Sequence, residues 1–90
     1  VYSAANFFAG MMKAFPNVTL IGDRTGGGGG APVGWELPNG WWFNFSSSIT
    51  TLPDGTVIEG GVEPHVRVDM LDSDRQRGRD TILETALRHF

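Results

Sequence analysis

The sequence predicts an α/β fold in which helices pack on short strands, and three features of the pattern predict it. An apolar-periodic segment suited to a helix runs directly into a β-branched segment suited to a strand. Asn-Gly and Asp-Gly pairs then separate further short apolar segments, as is typical of hairpins. A second helical pattern closes the chain. This order of elements suits layered α/β packing, in which a helix lies on a sheet face.

The first predicted helix runs from about Ser3 to Phe15. Its apolar residues recur at helical spacing: Ala4, Phe8, Met11 and Ala14. Ser3 is a favoured N-cap type, and Pro16-Asn17 supplies a stop. Residues 18–21 are predicted to form a short buried strand, and the glycine-rich residues 22–30 a loop.

The middle of the chain predicts a meander of antiparallel strands. Residues 35–37 and 41–43 flank Pro38-Asn39-Gly40, and Asn-Gly tolerates the positive φ angles of a tight turn. The second strand is expected to continue towards Thr50 and, after a Pro-Asp-Gly turn, to pair with residues 56–58.

The last part of the chain predicts one strand and one helix. Alternation predicts a strand at residues 66–69, and the charged residues 72–79 are expected to be a surface connection. The closing helix is expected to start at Asp80 or Thr81, because Thr81 and Glu84 have capping-box spacing. One apolar face of this helix contains Ile82, Ala86 and Phe90.

Composition narrows the function classes. A chain of 90 residues with 40% apolar composition holds one core or part of one. The net charge is −3 and the 7 Lys and Arg form no basic stripe, which weighs against nucleic acid as a partner. Cysteine is absent, so disulfides and thiolate chemistry are not expected. No apolar run approaches the roughly 20 residues of a membrane span, no targeting pattern opens the chain, and we expect its true start upstream.

Several motifs in order resemble the carboxyl-terminal processing (tail-specific) and tricorn-like serine peptidases. Tyr2–Phe8 resembles their nucleophile helix, and residues 18–28 resemble the strand and Thr-x-Gly loop that follow it. Further motifs of that family's tail come in the same order at residues 37–41, 53–55, 59–64 and 80–86. The resemblance implies that residues 1–90 are the C-terminal portion of a ClpP- or crotonase-like catalytic domain.

Ser3 has two interpretations. The residue pattern alone favours a helix cap, whereas the resemblance implies the catalytic nucleophile. The two are compatible, because a helix N-terminus offers free N–H groups and a positive field that favours developing negative charge. The backbone N–H of Ala4 is then expected to form half of an oxyanion hole. The resemblance places the other half in a glycine-rich segment earlier in the chain.

The general base is where the sequence departs from the tail-specific branch, whose Ser-Lys dyad places a lysine after the Thr-x-Gly motif. Gly28 stands at that position, and Lys13 lies ten residues along the helix from Ser3, roughly 15 Å away. The tricorn-like branch uses a histidine from an earlier segment and a supporting glutamate, which Glu59 resembles. Glu59 is equally well interpreted as a solvated carboxylate.

Other residues have simpler interpretations. His65 is expected to be structural or exposed, and His89 to lie in the last turn of the closing helix, where a cation is favourable. Gly26, Gly27 and Gly28 are predicted to form a loop that passes close to substrate or to a neighbouring strand. The three tryptophans suit a core or an interface better than a ligand platform.

The resemblance therefore implies a serine endopeptidase that acts on peptides or proteins through an acyl-enzyme, with Ser3, Ala4 and Glu59 at its site. No cofactor is implied and no metal-ligand spacing is present. The chain alone is expected to be inactive and to form a homodimer through an exposed apolar surface that includes Phe7 and Phe8. The alternative is a non-catalytic peptide-binding or assembly module on the same fold. Composition leaves localisation open, and the resemblance implies a bacterial exported or periplasmic protein.

Overall fold

The computed structural model describes all 90 residues. In chain order the elements are α1 (Ala4–Lys13), β1 (Ile21–Gly22), β2 (Pro32–Glu36), β3 (Trp42–Ser46), a 3-10 helix (Ile58–Gly60), β4 (Val66–Arg67), α2 (Asp72–Gln76) and α3 (Thr81–His89). This mixture of helices and short strands agrees with the predicted α/β class. No helix is long and apolar enough to cross a bilayer.

Helix α1 begins one residue after Ser3, close to the predicted start, and ends two residues before the predicted Phe15. The backbone N–H groups of Ala14 and Phe15 bond three residues back, to the carbonyls of Met11 and Met12. Such bonds tighten the last turn of a helix. The helix therefore ends in a tightened turn just ahead of Pro16.

Strands β1 and β4 pair in parallel, with Ile21 opposite Val66 and Gly22 opposite Arg67. The predicted buried strand at residues 18–21 is wrong except at Ile21, because the partner segment is only two residues long. Ile21 is half-buried. Helix α3 covers β1, since a Cβ atom on Gly22 would lie 3.3 Å from the Ile82 side chain.

Strands β2 and β3 form an antiparallel hairpin, which confirms the prediction for the middle of the chain. Gly40, with φ 83°, completes its turn. All residues of both strands are exposed, and we call residues 32–46 the aromatic hairpin. The expected continuation of β3 to Thr50 is wrong, because the chain turns away after Ser47 bonds to the Ala31 carbonyl.

The Pro-Asp-Gly turn is confirmed, but the strand predicted at residues 56–58 is reduced to a single bridge between Thr51 and Val57. Ile58 instead begins the 3-10 helix. Its side chain is fully buried, and its carbonyl accepts hydrogen bonds from Asn6 and Gly61. The Ile58 N–H still donates to the Thr50 carbonyl at 3.1 Å, and the pairing ends there as its carbonyl turns inward.

The core is small. Eight residues are buried. They are Asn6, Gly10, Gly22, Gly27, Gly29, Ile58, Gly61 and Val62. The molecule measures 56 × 35 × 14 Å, and its radius of gyration is 17.1 Å, against about 12 Å for a compact domain of this length. Large apolar surfaces are consequently exposed.

The C-terminal region corrects two predictions. Residues 72–79 contain α2, with Asp72 and Asp74 in its first turn and Arg75 in its last, an arrangement that suits the helix dipole. Helix α3 starts at Thr81 as predicted, but its cap is Asp80, whose Oδ1 accepts the Leu83 N–H at 2.9 Å.

The predicted capping box of Thr81 and Glu84 is wrong, because both side chains have other partners. The Thr81 hydroxyl donates to Asp74, and the Glu84 carboxylate accepts two hydrogen bonds from Arg79. The bonded carboxylate raises the pKa of the exposed Arg79 guanidinium. Phe90 is 96% exposed, so it does not share the covered face of Ile82 and Ala86.

Candidate active site

Ser3 is held in an unusual backbone conformation at the start of α1. It has φ 53° and ψ −120° and is the only non-glycine residue with positive φ. Its N–H donates to the Gly27 carbonyl at 2.9 Å, and its carbonyl accepts the Phe7 N–H at 3.0 Å. Its side chain makes no capping hydrogen bond. The simple interpretation of Ser3 as a side-chain cap therefore has no support in its contacts.

Ala4 contributes a free backbone donor beside the Ser3 hydroxyl. As the first residue of α1 its N–H has no acceptor within the helix, and no other group of the chain bonds to it. The aligned peptide dipoles add a positive field at this end. The N-terminus of α1 is therefore suited to stabilise a negatively charged oxygen beside Ser3.

Both residues line an open groove of about 310 Å³, which we call the Ser3 groove. Its other lining residues are Phe7, Gly29, Gly30, Ala31, Pro32, Ser48 and Thr50. The groove thus extends from the start of α1 to the first residue of the aromatic hairpin. Its lining is both polar and apolar.

Asn6 lies beneath this site and is completely buried. Its amide nitrogen donates to the carbonyls of Ile58 (2.9 Å) and Gly28 (3.4 Å), and its oxygen accepts the Thr25 hydroxyl proton at 2.5 Å. The Thr25 hydroxyl in turn accepts the Val62 N–H at 2.6 Å. We call Asn6, Thr25, Ile58 and Val62 the Asn6 cluster. It joins α1, the glycine-rich loop and the 3-10 helix.

Glu59 bonds to the glycine-rich loop and not to Ser3. Its Oε2 accepts the N–H groups of Gly29 (2.7 Å) and Gly30 (3.0 Å), and its carbonyl accepts the Gly28 N–H. Glu59 does not line the Ser3 groove. Its carboxylate is exposed, but these two bonds make it more than a solvated charge.

Of the predicted loop glycines, Gly27 bonds to Ser3, Gly26 to Val1 and Gly28 to Glu59. The groove is lined instead by the next two glycines, Gly29 and Gly30. Gly28 has φ 78°, and a Cβ atom there would lie 2.7 Å from the Tyr2 ring. A Cβ atom on Gly27 would collide with the Glu59 carbonyl oxygen. Close backbone approach is therefore the structural use of this segment.

The remaining candidates lie away from Ser3. Lys13 donates to the Glu63 carbonyl at 2.8 Å, at the far end of α1. His65 accepts the Leu20 N–H through Nδ1, which confirms its structural interpretation. His89 lies in the last turn of α3 as predicted and packs edge-on against Phe90.

Sequence reasoning missed the two residues that organise the site, Asn6 and Thr25. A signal for Asn6 was present, because a polar residue on the inner side of a mainly apolar helix, one turn after Ser3, needs buried partners. Thr25 was visible only as the first residue of the Thr-x-Gly motif. Its pairing with residues 19 and 37 positions away in the chain cannot be seen in a local pattern.

Three comparisons with known proteins identify what this chain is similar to. The model of peptidase family S41 matches residues 1–68. A crystal structure of a candidate peptidase from Parabacteroides merdae ATCC 43184 superposes with a TM-score of 0.86 and 44% identity, covering 96% of this chain and 27% of that one. An uncharacterised protein of Chlamydia muridarum (strain MoPn / Nigg) is 32% identical over 82 residues, which is 86% of this chain and 14% of the relative. The chain thus spans only a minor part of these relatives.

Proposed function

The chain belongs to peptidase family S41, and from this premise we propose that it supplies the nucleophile and one oxyanion donor of a serine endopeptidase. Ser3 is the nucleophile and the Ala4 N–H is the donor. The substrate is a peptide or protein chain lying in the Ser3 groove. The corresponding fold is the C-terminal portion of a ClpP- or crotonase-like domain.

The observation that carries this proposal is the backbone of Ser3. Conformations rarely populated by L-residues cost about 1–3 kcal/mol and persist only where the surroundings impose them. Here the Gly27 carbonyl and the first turn of α1 impose one on a serine whose hydroxyl caps nothing. A strained serine at a turn into a helix is also how other serine hydrolases expose their nucleophile.

The proposed reaction follows from these positions. Ser3 Oγ attacks the scissile carbonyl carbon and gives its proton to a general base, while the Ala4 N–H stabilises the oxyanion. Collapse of the tetrahedral intermediate breaks the C–N bond, and the base returns the proton to the leaving amine. Water then attacks the acyl-enzyme and releases the acid and free Ser3.

We propose that the base is a histidine from another segment, as in the tricorn-like branch, and not a lysine at position 28. A lysine at position 28 would have to adopt a positive φ, and its Cβ atom would collide with the Tyr2 ring. Lys13 is occupied at the other end of α1. Glu59 supports the site through the amides of Gly29 and Gly30, and its Oε1 makes no bond within this chain, leaving it free to orient that histidine.

The isolated chain is then expected to be inactive and to self-associate. Removal of one oxyanion donor alone costs about 10²–10³ in rate, and the base is also absent. Exposed aromatic residues, among them Phe8 at 61% and Trp41 at 72% exposure, favour association into a homodimer. The alternative of a binding module has weaker support, because a binding module has no use for a strained, uncapped serine.

A fluorophosphonate probe tests the proposal on the full-length protein. We expect covalent labelling that Ser3→Ala abolishes and that Ser73→Ala, on exposed α2, leaves intact. Ser48 is the rival, because it also lines the Ser3 groove. Labelling that survives in Ser3→Ala and disappears in Ser48→Ala would assign the nucleophile to Ser48 and refute the proposal.

A further inference from the structure

Asn6 connects the parts of the fold that define the geometry of Ser3, although it lies outside the Ser3 groove. Its side chain bonds to Thr25 and Gly28, the residues on either side of the segment whose Gly27 carbonyl accepts the Ser3 N–H. It also bonds to Ile58, which precedes Glu59. One amide therefore fixes the loop that holds the Ser3 backbone.

We infer that Asn6 is a positioning residue for the nucleophile, one that keeps the Gly27 carbonyl, and through it Ser3, in the conformation required for attack. This inference rests on the proposed function of Ser3. Asn6 is fully buried, so it acts through the backbone and not on the substrate.

The chemistry of an amide, and not only its size, is required here. Asn6 uses both kinds of group: Nδ2 donates to two carbonyls, and Oδ1 accepts from a hydroxyl. A carboxylate of the same shape would direct an oxygen lone pair at the Ile58 carbonyl, which lies 2.9 Å from Nδ2. The Ile58 carbonyl would keep the Gly61 N–H but face a repelling oxygen in place of its Asn6 donor, and the Gly28 carbonyl would lose its Asn6 donor too. Removing one partner from a buried hydrogen bond is costly.

Thr25 supplies an independent test of the same inference. Its hydroxyl donates to Asn6 and accepts from the Val62 N–H, so it orients the amide from the other side. Thr25→Ser keeps this hydroxyl, whereas Thr25→Val removes it at nearly constant shape. The pair separates the hydrogen bond from the packing.

The experiment measures the fluorophosphonate labelling rate and the peptidase kcat and KM of the full-length protein. Displacing a reacting group by about 1 Å costs on the order of 10²-fold in rate. We expect Asn6→Asp to lose about that factor in kcat and labelling rate, with KM unchanged because Asn6 does not touch substrate. Thr25→Val is expected to lose a smaller factor, and Thr25→Ser to restore most of it.

The pH profile distinguishes positioning from simple loss of stability. Burial raises the pKa of a carboxyl introduced at position 6, and its protonated form can donate to the Ile58 carbonyl again. The ratio of the Asn6→Asp rate to the wild-type rate should therefore rise as the pH falls. A purely structural role predicts a ratio that follows only the folded fraction, measured by circular dichroism.

Each outcome decides the inference. Folded Asn6→Asp that labels at the wild-type rate at every pH would overturn it, as would a defect confined to KM. If Asn6→Asp does not fold, the Thr25 pair decides, and folded Thr25→Val with wild-type kcat overturns the inference. Labelling that persists in Ser3→Ala would instead show that the proposed function has failed, whatever the Asn6 variants do.

Discussion

The Asn6 cluster and the aromatic hairpin reverse the usual relation between polarity and burial. Asn6 is fully buried, whereas Trp35, Trp41 and Trp42 are 65%, 72% and 67% exposed. The amide is stable inside because every polar atom of its side chain has a partner. The indole rings lie outside because no other element packs on either face of the two-stranded sheet.

Glycine explains much of this difference. In the Asn6 cluster, backbone segments approach so closely that a side chain at Gly27 or Gly61 would collide with a carbonyl oxygen. These contacts bring backbone donors and acceptors to the buried amide. In the aromatic hairpin, Gly40 forms the turn with nothing near it. Glycines with similar positive φ therefore have very different surroundings in the two regions.

The largest expected effect comes from a pair of glycine substitutions that tests this contrast. Gly27 and Gly40 have almost the same φ, 82° and 83°, so alanine carries a similar backbone penalty of about 1–2 kcal/mol at both. Only Gly27→Ala also collides with the Glu59 carbonyl. We expect Gly27→Ala to cost at least about 4 kcal/mol and to abolish labelling of Ser3.

Gly40→Ala is the matched control for this substitution. Urea unfolding of the full-length protein should show for it only the backbone penalty, with labelling retained. Equal losses of stability for the two variants would mean that the close approach at Gly27 contributes nothing, and the contrast between the regions would then be wrong.

Local patterns in the sequence were sufficient for some elements. The start of α1 directly after Ser3, the hairpin around Asn39-Gly40 and the start of α3 are all encoded within a few residues. The strand at residues 18–21 failed because its length depends on a partner more than 40 residues away. The capping box failed because Arg79 and Asp74 competed for the same side chains.

In the candidate site, too, some residues could be predicted from the sequence, whereas other contacts depend on distant partners. Ser3 and Ala4 were predicted from a resemblance carried by several motifs in order along the chain. The contacts of Glu59 with Gly29 and Gly30 depend on how the glycine-rich loop folds back on the 3-10 helix. The contacts of Asn6 likewise depend on the tertiary fold, because its partners lie 19 to 52 residues away in the chain. Local periodicity in the sequence carries no information about such distant contacts.

An intermediate effect is expected from a second pair, Ile58→Ala and Trp35→Ala. Ile58 is completely buried, so its truncation should cost about 2–5 kcal/mol. Trp35 is 65% exposed, and its truncation in the isolated 90-residue chain should cost less than about 1 kcal/mol. Urea unfolding measures both, and sedimentation should show weaker self-association for Trp35→Ala.

The same two substitutions in the full-length protein show whether the hairpin is covered there. If other segments of the protein cover the aromatic hairpin, Trp35→Ala will cost much more there than in the isolated chain, while the cost of Ile58→Ala will stay the same. An equally small cost in both settings would leave the hairpin as a free surface.

The smallest expected effect lies in the turn between the two regions, at Asp54. Its carboxylate accepts the Thr56 N–H at 2.9 Å, and this backbone hydrogen bond, with a further one from the Thr56 side chain, holds the pKa of Asp54 below its ordinary value. A depressed pKa in the folded state means that the bond contributes stability above the unfolded pKa. That contribution is lost as the pH falls below about 4 and through the folded pKa.

Because Asp54 is exposed, Asp54→Asn should leave the stability at neutral pH nearly unchanged and only reduce the loss of stability at acidic pH. Carbon-13 NMR titration of Asp54, with a peptide of residues 50–58 as the unfolded reference, measures the shift directly. An Asp54 pKa equal to that of the peptide would show that this turn does not hold its native geometry in solution, and that the hairpin and the Asn6 cluster are less firmly connected than the contacts indicate.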